Sequence, residues 1–277
     1  MNLLKAKAVF LESLENRNTR SANNSDLNGF LAFLGPNPQF QRFNSETIEA
    51  YFKGVSGQFS RATLARKKHT LSGFARWCLA REYLAKDPMR LLAVLHVPKT
   101  LPRPFMDDEI KRLCSLSLNA REGLVRSLLL YTGLRATPLS RIKVGDVSWT
   151  PPELRLFVKR SKTQVIPLHP ALAPLLRDYI KTETDGFPET FLFGTIARAT
   201  PARDVIEKMT FKWGEVAGVK DCTPHRFRHT FATKLLKQTR DIRLVQEALG
   251  HDSISTTQIY TQVANEQLAM EVSGLTY

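Results

Sequence analysis

Cysteine is scarce in this chain, which has 277 residues and only three cysteines. Cys78, Cys114 and Cys222 lie far apart and lack the spacing of metal ligands. An odd number of dispersed cysteines is typical of reduced thiols, so we expect a cytoplasmic protein without a disulfide framework. The sequence also has no apolar run of the roughly 18 residues that a membrane span needs. Its amphipathic first segment, MNLLKAKAVFLESLE, is unlike a signal peptide. We therefore expect no membrane partner.

Carboxylate clusters suited to metal ions are also missing. Asp107, Asp108 and Glu109 are adjacent, so on a helix they point in different directions, and acids are favoured in a first turn. His225 and His229 have a spacing that zinc sites use, but Arg226 and Arg228 lie between them and no carboxylate does. The sequence predicts no metal site.

Positive charge is abundant: the 40 Lys and Arg residues outnumber the 26 Asp and Glu residues, which gives a net charge of +14. Both the N-terminal and the C-terminal parts carry the excess. Duplex DNA presents a dense row of negative charge, so basic charge on each domain favours a nucleic-acid partner.

The pattern of helices and strands predicts two domains. Residues 1–95 are predicted to be helical. The segment SRATLARKKHTLSGFARWCLAREYL has an apolar face opposite a basic one. On that basic face, Arg61, Arg66 and Arg76 are candidate DNA contacts. A capping box near Ser45 is expected to start the preceding helix. Three prolines mark 96–104 as a linker, and residues 105–277 form the second domain.

The second domain is expected to be mainly α with a small three-stranded antiparallel sheet. DVSW, ELRLFV and QVIPL are short runs of β-branched and aromatic residues separated by turn signals, and helices precede and follow them. Lys159 and Lys162 lie in or beside the turn of the second hairpin, with Lys162 nearer the expected turn centre.

Several residues suited to phosphate chemistry lie near turns and helix starts. Arg135 precedes a predicted helix with Thr137 as its cap and Pro138 as its first residue. Thr223 and Pro224 begin another helix that carries His225 and Arg228 on one face. Gly250 ends a helix before His251, and Tyr260 follows in the next predicted helix. Arginine forks match phosphate oxygens, and an activated tyrosine is an oxygen nucleophile.

These motifs resemble the tyrosine recombinase, or integrase, family. The resemblance rests on TGLR, on the hairpin K-x-x-K-x-x-x-x-P-L, on H-x-x-R-H and on LGH-x8-Y. Residues 63–77, T-L-A-R-x(4)-L-x-x-F-x-x-W, are similar to the arm domain of its Xer-like branch, a helical SAM-like core-binding domain. The likeness covers nearly the whole chain. It departs at Pro138, where the family usually has an acidic residue that braces the active-site cations.

The resemblance implies a site-specific recombinase that needs neither metal nor ATP. It implies that Tyr260 attacks a DNA phosphate, leaving a 3′-phosphotyrosyl link and a 5′-hydroxyl. Arg135 and Arg228 would bind the phosphate, His251 would hydrogen-bond it, and His225 would assist proton transfer from the tyrosine. Lys159 would be the general acid, with Lys162 as the alternative.

The family's architecture implies a C-shaped clamp on double-stranded DNA. Four protomers would assemble, as a homo-tetramer or with a related recombinase, for chromosome dimer resolution or for integration or excision of mobile elements. A type IB topoisomerase-like relaxing enzyme is one alternative. A non-catalytic DNA-binding regulator is the other.

Overall fold

The computed structural model describes residues 2–90, 92, 103–158, 162–197 and 202–250. The chain divides into two compact units, Met1–Lys99 and Thr100–Tyr277. Most of the linker predicted at 96–104 lies outside the described residues. In the part of the chain that the structure covers, no helix is long and apolar enough to cross a membrane.

The first unit is helical, as predicted. Its four α-helices are α1 (Leu3–Glu12), α2 (Arg17–Leu34), α3 (Ser45–Val55) and α4 (Arg61–Leu79), and a 3-10 turn spans Phe40–Arg42. The predicted start of α3 was wrong by one residue. Asn44 is the cap, because its side chain accepts the backbone N–H of Thr47 at 2.9 Å. The Ser45 hydroxyl instead donates to the carbonyl of Pro88 at 2.8 Å.

The amphipathic pattern predicted for α4 is confirmed. The expected apolar residues are all buried, namely Leu64, Leu71, Phe74, Ala75 and Cys78. The helix also buries a polar contact with α2, where the Asp26 carboxylate lies out of solvent. Asp26 accepts from the ammonium of Lys67 at 3.3 Å, from the hydroxyl of Thr70 at 3.0 Å, and from the guanidinium of Arg66. This buried acid compensates the cation of Lys67, which is itself almost out of water.

The second unit is mainly helical with one small sheet. Its elements in chain order are α5 (Asp107–Cys114), α6 (Ala120–Thr132), α7 (Ala136–Ser140), β1 (Val147–Trp149), β2 (Pro152–Val158), β3 (Lys162–Pro167), α8 (Leu172–Glu183), α9 (Gly194–Ala197), α10 (Ala202–Ala217), α11 (Pro224–Thr239) and α12 (Ile242–Leu249). A 3-10 turn at Val144–Asp146 leads into the sheet. The three adjacent acids do lie in the first turn of α5, and Glu109 accepts the N–H of Met106 at 2.8 Å.

The sheet is a three-stranded antiparallel meander in the order β1-β2-β3, which confirms the prediction. Leu154 pairs with Ile166, and both are buried against the helices. The expectation that Lys162 lies near the turn centre was wrong. Lys162 is the first residue of β3 and pairs with Val158, so the connection comprises only residues 159–161.

Candidate active site

Arg135 lies at a sharp junction between α6 and α7. Helix α6 ends at Thr132, and Gly133 caps it in the left-handed conformation with φ 60°. A Cβ at Gly133 would lie 2.5 Å from the ring of Phe231, so glycine is required both by backbone conformation and by space. Buried Leu134 then leaves Arg135 exposed at the start of α7.

The predicted cap of α7 was wrong by two residues. Arg135 occupies the N-cap position, and α7 begins at Ala136 rather than at Pro138. The Thr-Pro pair resembles a helix start, but α6 ends so close by that the chain turns into α7 within three residues. Arg135 is therefore part of the junction itself, with its backbone extended at φ −70° and ψ 154°.

Arg228 lies in the first half of α11 and connects this helix to the ends of α6 and α12. Its two terminal nitrogens donate to the carbonyl of Gly133 and to that of Leu249, each at 2.8 Å. These carbonyls lie at the C-terminal ends of α6 and α12, where helix dipoles favour a cation. The residue is only 5% exposed, so the guanidinium is held in one place at the meeting point of the three helices.

His225 precedes Arg228 by one helical turn. The cap predicted for α11 is confirmed, because the Thr223 side chain accepts the N–H of Arg226 and Pro224 is the first helical residue. Partial burial lowers the pKa of His225 below its ordinary value, although the residue keeps an exposed surface, and the charges of Arg228 and then Arg135 lower it further. Arg135, His225 and Arg228 are therefore close enough to interact. The imidazole is neutral at pH 7 and able to accept a proton.

His229 lies one turn further along α11 from His225. Burial lowers its pKa, and the neighbouring His225 and Arg228 lower it further. Within the described part of the chain, no group of three or more His, Cys, Asp or Glu side chains is placed to hold a metal ion.

Gln164 connects the sheet to the end of α12. Its amide donates to the carbonyl of Ala248 at 2.9 Å. Gly250 ends α12 in the left-handed conformation, as predicted, and a Cβ there would lie 2.7 Å from the Gln164 side chain. The end of α12 is thus held by β3 on one side and by Arg228 on the other.

Three of the six predicted catalytic residues lie outside the described residues. They are Lys159, His251 and Tyr260. In sequence, Lys159 directly follows β2 and His251 directly follows Gly250. The residues that precede them, Val158 at the end of β2 and Gly250 at the end of α12, therefore belong to the sheet and the helix that Gln164 connects.

The candidate DNA contacts of the first unit are exposed on α4. Arg61 and Arg76 face solvent, whereas half-exposed Arg66 is bound to the buried Asp26. The remaining candidate, Lys162, is the first residue of β3.

Sequence reasoning missed two side chains that hold this region together, Gln164 and Arg226. A glutamine in a strand and a second arginine in HRFRH carry no distinctive signal. Two partners of Arg226, Arg103 and Glu109, lie more than a hundred residues away in sequence.

Comparison with known proteins places this chain in a family. The sequence profile of the Phage integrase family matches residues 105–267. A tyrosine recombinase of Pseudothermotoga lettingae is 32% identical over 249 residues, which covers 87% of this chain and 86% of that protein. Tyrosine recombinase XerD of Caulobacter vibrioides is 32% identical over 273 residues, covering 91% and 88%.

A solved structure shows the same fold at low identity. The XerH site-specific recombinase bound to a palindromic difH substrate, in a post-cleavage complex, superposes with a TM-score of 0.74. It is 19% identical and covers 92% of this chain and 79% of that one. The chain belongs to the phage integrase family of tyrosine-type site-specific recombinases, in which it is Xer-like.

Proposed function

We propose that this recombinase cuts and rejoins DNA strands through a covalent 3′-phosphotyrosyl intermediate on Tyr260. The observation that carries the proposal is the cluster of Arg135, His225 and Arg228. Two cations and a neutral base lie together where the ends of α6 and α12 meet the start of α11. A phosphodiester needs this combination, because its charge grows as a nucleophile attacks.

The proposed reaction has two proton transfers. The Tyr260 hydroxyl oxygen attacks phosphorus while His225 accepts its proton, and the bond from phosphorus to the 5′ oxygen breaks. Lys159 donates a proton to that leaving oxygen, with Lys162 as the alternative donor. Arg135, Arg228 and His251 bind the phosphate oxygens throughout. The link to tyrosine conserves the energy of the phosphodiester, so the reverse attack by a 5′-hydroxyl needs neither ATP nor a metal ion.

Pro138 stands where the family usually has an acidic residue. We propose that backbone carbonyls replace its bracing role. Arg228 already donates to the carbonyls of Gly133 and Leu249, two acceptors fixed at helix ends. Both carbonyls carry the partial negative charge of a helix C-terminus, so they can orient the guanidinium in place of a carboxylate.

The proposed substrate is double-stranded DNA, bound in the cytoplasm by both units. Exposed Arg61 and Arg76 would contact phosphates from the first unit, with Arg66 held beside them by Asp26. The XerH structure described above contains a DNA substrate, which supports this assignment.

We propose a tetramer on paired sites, of one protein or with a related recombinase. The biological task would be chromosome dimer resolution or movement of a mobile element.

Covalent trapping tests the proposal. The protein is incubated with nicked duplexes from a genomic library, in EDTA without ATP, so that the cleaved fragment diffuses away. We expect a denaturation-resistant adduct at one recurring sequence, absent in Tyr260→Phe although that variant still binds the same DNA. An adduct that persists in Tyr260→Phe, or the absence of any adduct from the wild-type protein, would contradict the proposal.

A further inference from the structure

One stripe of α11 binds the first described segment of the second unit, residues 103–109. Arg226, Thr230 and Lys234 are spaced four residues apart, so they follow each other along one side of the helix. Thr230 accepts the N–H of Phe105 at 2.8 Å, and Lys234 pairs with Asp107 at 2.7 Å. Segment 103–109 therefore lies along α11, the helix that carries His225 and Arg228.

Of these three residues, Arg226 makes the most side-chain contacts. Its guanidinium donates to the carboxylate of Glu109 at 2.6 Å and to the carbonyl of Arg103 at 3.2 Å. It also donates to the carbonyl of Lys220, in the loop before α11. The guanidinium lies 4.4 Å from the ring centroid of Phe105, and only 14% of the side chain is exposed. One side chain thus ties the first turn of α11 to a preceding loop and to α5.

The location of Arg226 is electrostatically unfavourable without these partners. It lies in the first turn of α11, where the helix dipole repels cations, and it is two residues from the cation of Arg228. Lys234 has no such penalty, because it lies past the middle of the helix. Arg226 is thus a cation in an unfavourable place that is held there by fixed partners, which indicates that it sets the geometry of the turn beside the site.

We propose that Arg226 is a positioning residue, which fixes the first turn of α11 so that His225 stays beside Arg135 and Arg228. The inference rests on the proposed function. Glu109 is its principal partner, and the carbonyls of Arg103, Pro104 and Lys220 accept three further hydrogen bonds from the guanidinium. Arg226 itself does not touch DNA in this proposal, because its guanidinium is bound to four acceptors within the protein.

The first test compares cleavage by Arg226→Gln with cleavage by Lys234→Gln. The control removes the ion pair at the far end of the same stripe, two turns from Arg226. Single-turnover trapping at saturating DNA, well below the unfolding temperature, is expected to slow about tenfold in Arg226→Gln, since small misplacement of a reacting group is costly. DNA affinity should stay within twofold. Lys234→Gln should cleave at the wild-type rate, and Arg226→Lys, which keeps the ion pair, should recover part of the loss.

The second test needs no cleavage. The imidazole of His225 is titrated by NMR in the DNA-free protein, with His225→Gln to identify its resonance. In Arg226→Lys, which keeps the neighbouring charge but loses the carbonyl contacts of the guanidinium, we expect its pKa to move up toward the ordinary value, because the turn relaxes away from Arg228 and Arg135, and in Arg226→Gln we expect a larger move in the same direction. Lys234→Gln should leave it unchanged.

The two tests separate this inference from the proposed function. A His225 titration unchanged by Arg226→Lys, or equal losses of cleavage in Arg226→Gln and Lys234→Gln, would overturn the positioning role. A wild-type protein that forms no adduct would overturn the proposed function, while the titration would still decide whether Arg226 positions His225.

Discussion

Arg228 has two tasks that compete for one guanidinium. It donates to carbonyls of two helix ends, and the proposed mechanism also directs it at a phosphate. Arginine suits both, because its five N–H donors form a rigid fork and it keeps its charge when buried. Lysine would supply one compact ammonium and would lose part of this network.

We expect Arg228→Ala to lower the cleavage rate by about 10²–10³-fold, the range typical when one donor to a developing negative charge is removed. DNA affinity should change only a few-fold, because many other cations contribute to it. Single-turnover adduct formation and a binding titration measure the two effects. Lys237→Gln, a change on the same helix away from the site, is the control. Cleavage by Arg228→Ala at the wild-type rate would refute the assignment.

The neutral imidazole of His225 predicts a pH dependence. Its pKa is lowered by burial and by Arg228 and Arg135, so protonation begins only below the ordinary value near 6.5. A protonated His225 cannot accept the proton of Tyr260. The cleavage rate should therefore be level above about pH 6.5 and fall below it, in the acidic window under the ordinary histidine value. His225→Gln should be slower, with a flatter acidic limb. An unchanged acidic limb in that variant would exclude His225 as the base.

At the scale of elements, the α6–α7 junction depends on one glycine. Gly133 needs a positive φ, leaves no room beside Phe231, and presents the carbonyl that Arg228 binds. A side chain here would displace either the ring on α11 or the turn that leads to Arg135. The junction therefore couples packing between α6 and α11 to the geometry of both arginines.

Gly133→Ala should destabilise the protein by about 2 kcal/mol or more, from left-handed backbone strain and from overpacking. Gly123→Ala is the matched control on the same helix, because nothing lies within 4 Å of its added Cβ. That change should stabilise by about 0.5–1 kcal/mol through helix propensity. Chemical unfolding at equilibrium measures both. Equal free energies of unfolding for the two variants would show that the junction is not constrained as described.

Local signals predicted the elements well and their junctions less well. The alternating runs of the sheet and the Thr223–Pro224 start of α11 depend on neighbours in sequence, so the sequence revealed them. The start of α7 was misplaced, because the end of α6 overrides the preference of Thr137 and Pro138 for a helix start. Gln164 contacts Ala248, and Arg226 contacts Arg103 and Glu109, over separations of about 80 to 125 positions, and a single sequence carries no signal for such pairs.

At the scale of the whole molecule, the net charge of +14 governs encounter with DNA. The excess lies in both units, so electrostatic attraction acts along the length of the chain. Binding should therefore weaken steeply with salt, as counterions released from the phosphates carry much of the affinity. The division into a clamp of two DNA-binding domains stays a prediction.

The double variant Arg61→Gln, Arg76→Gln should lower the slope of log affinity against log salt by about 2, about one for each lost phosphate contact. Fluorescence anisotropy with a fixed duplex at several salt concentrations measures the slope. Arg17→Gln, Lys181→Gln removes the same charge from exposed positions outside α4 and serves as the control. If the two double variants have the same slope, α4 has no special part in DNA binding.

The most direct measurement of the central claim is the chemical identity of the DNA–protein link. Trapped adduct is digested with protease and nuclease, and the modified peptide is sequenced by mass spectrometry. The freed DNA end is tested for labelling by polynucleotide kinase. The account predicts a nucleotide attached through its 3′-phosphate to Tyr260, with a 5′-hydroxyl that accepts label directly. A link to any other residue, or a 5′-phosphate on the freed strand, would contradict it.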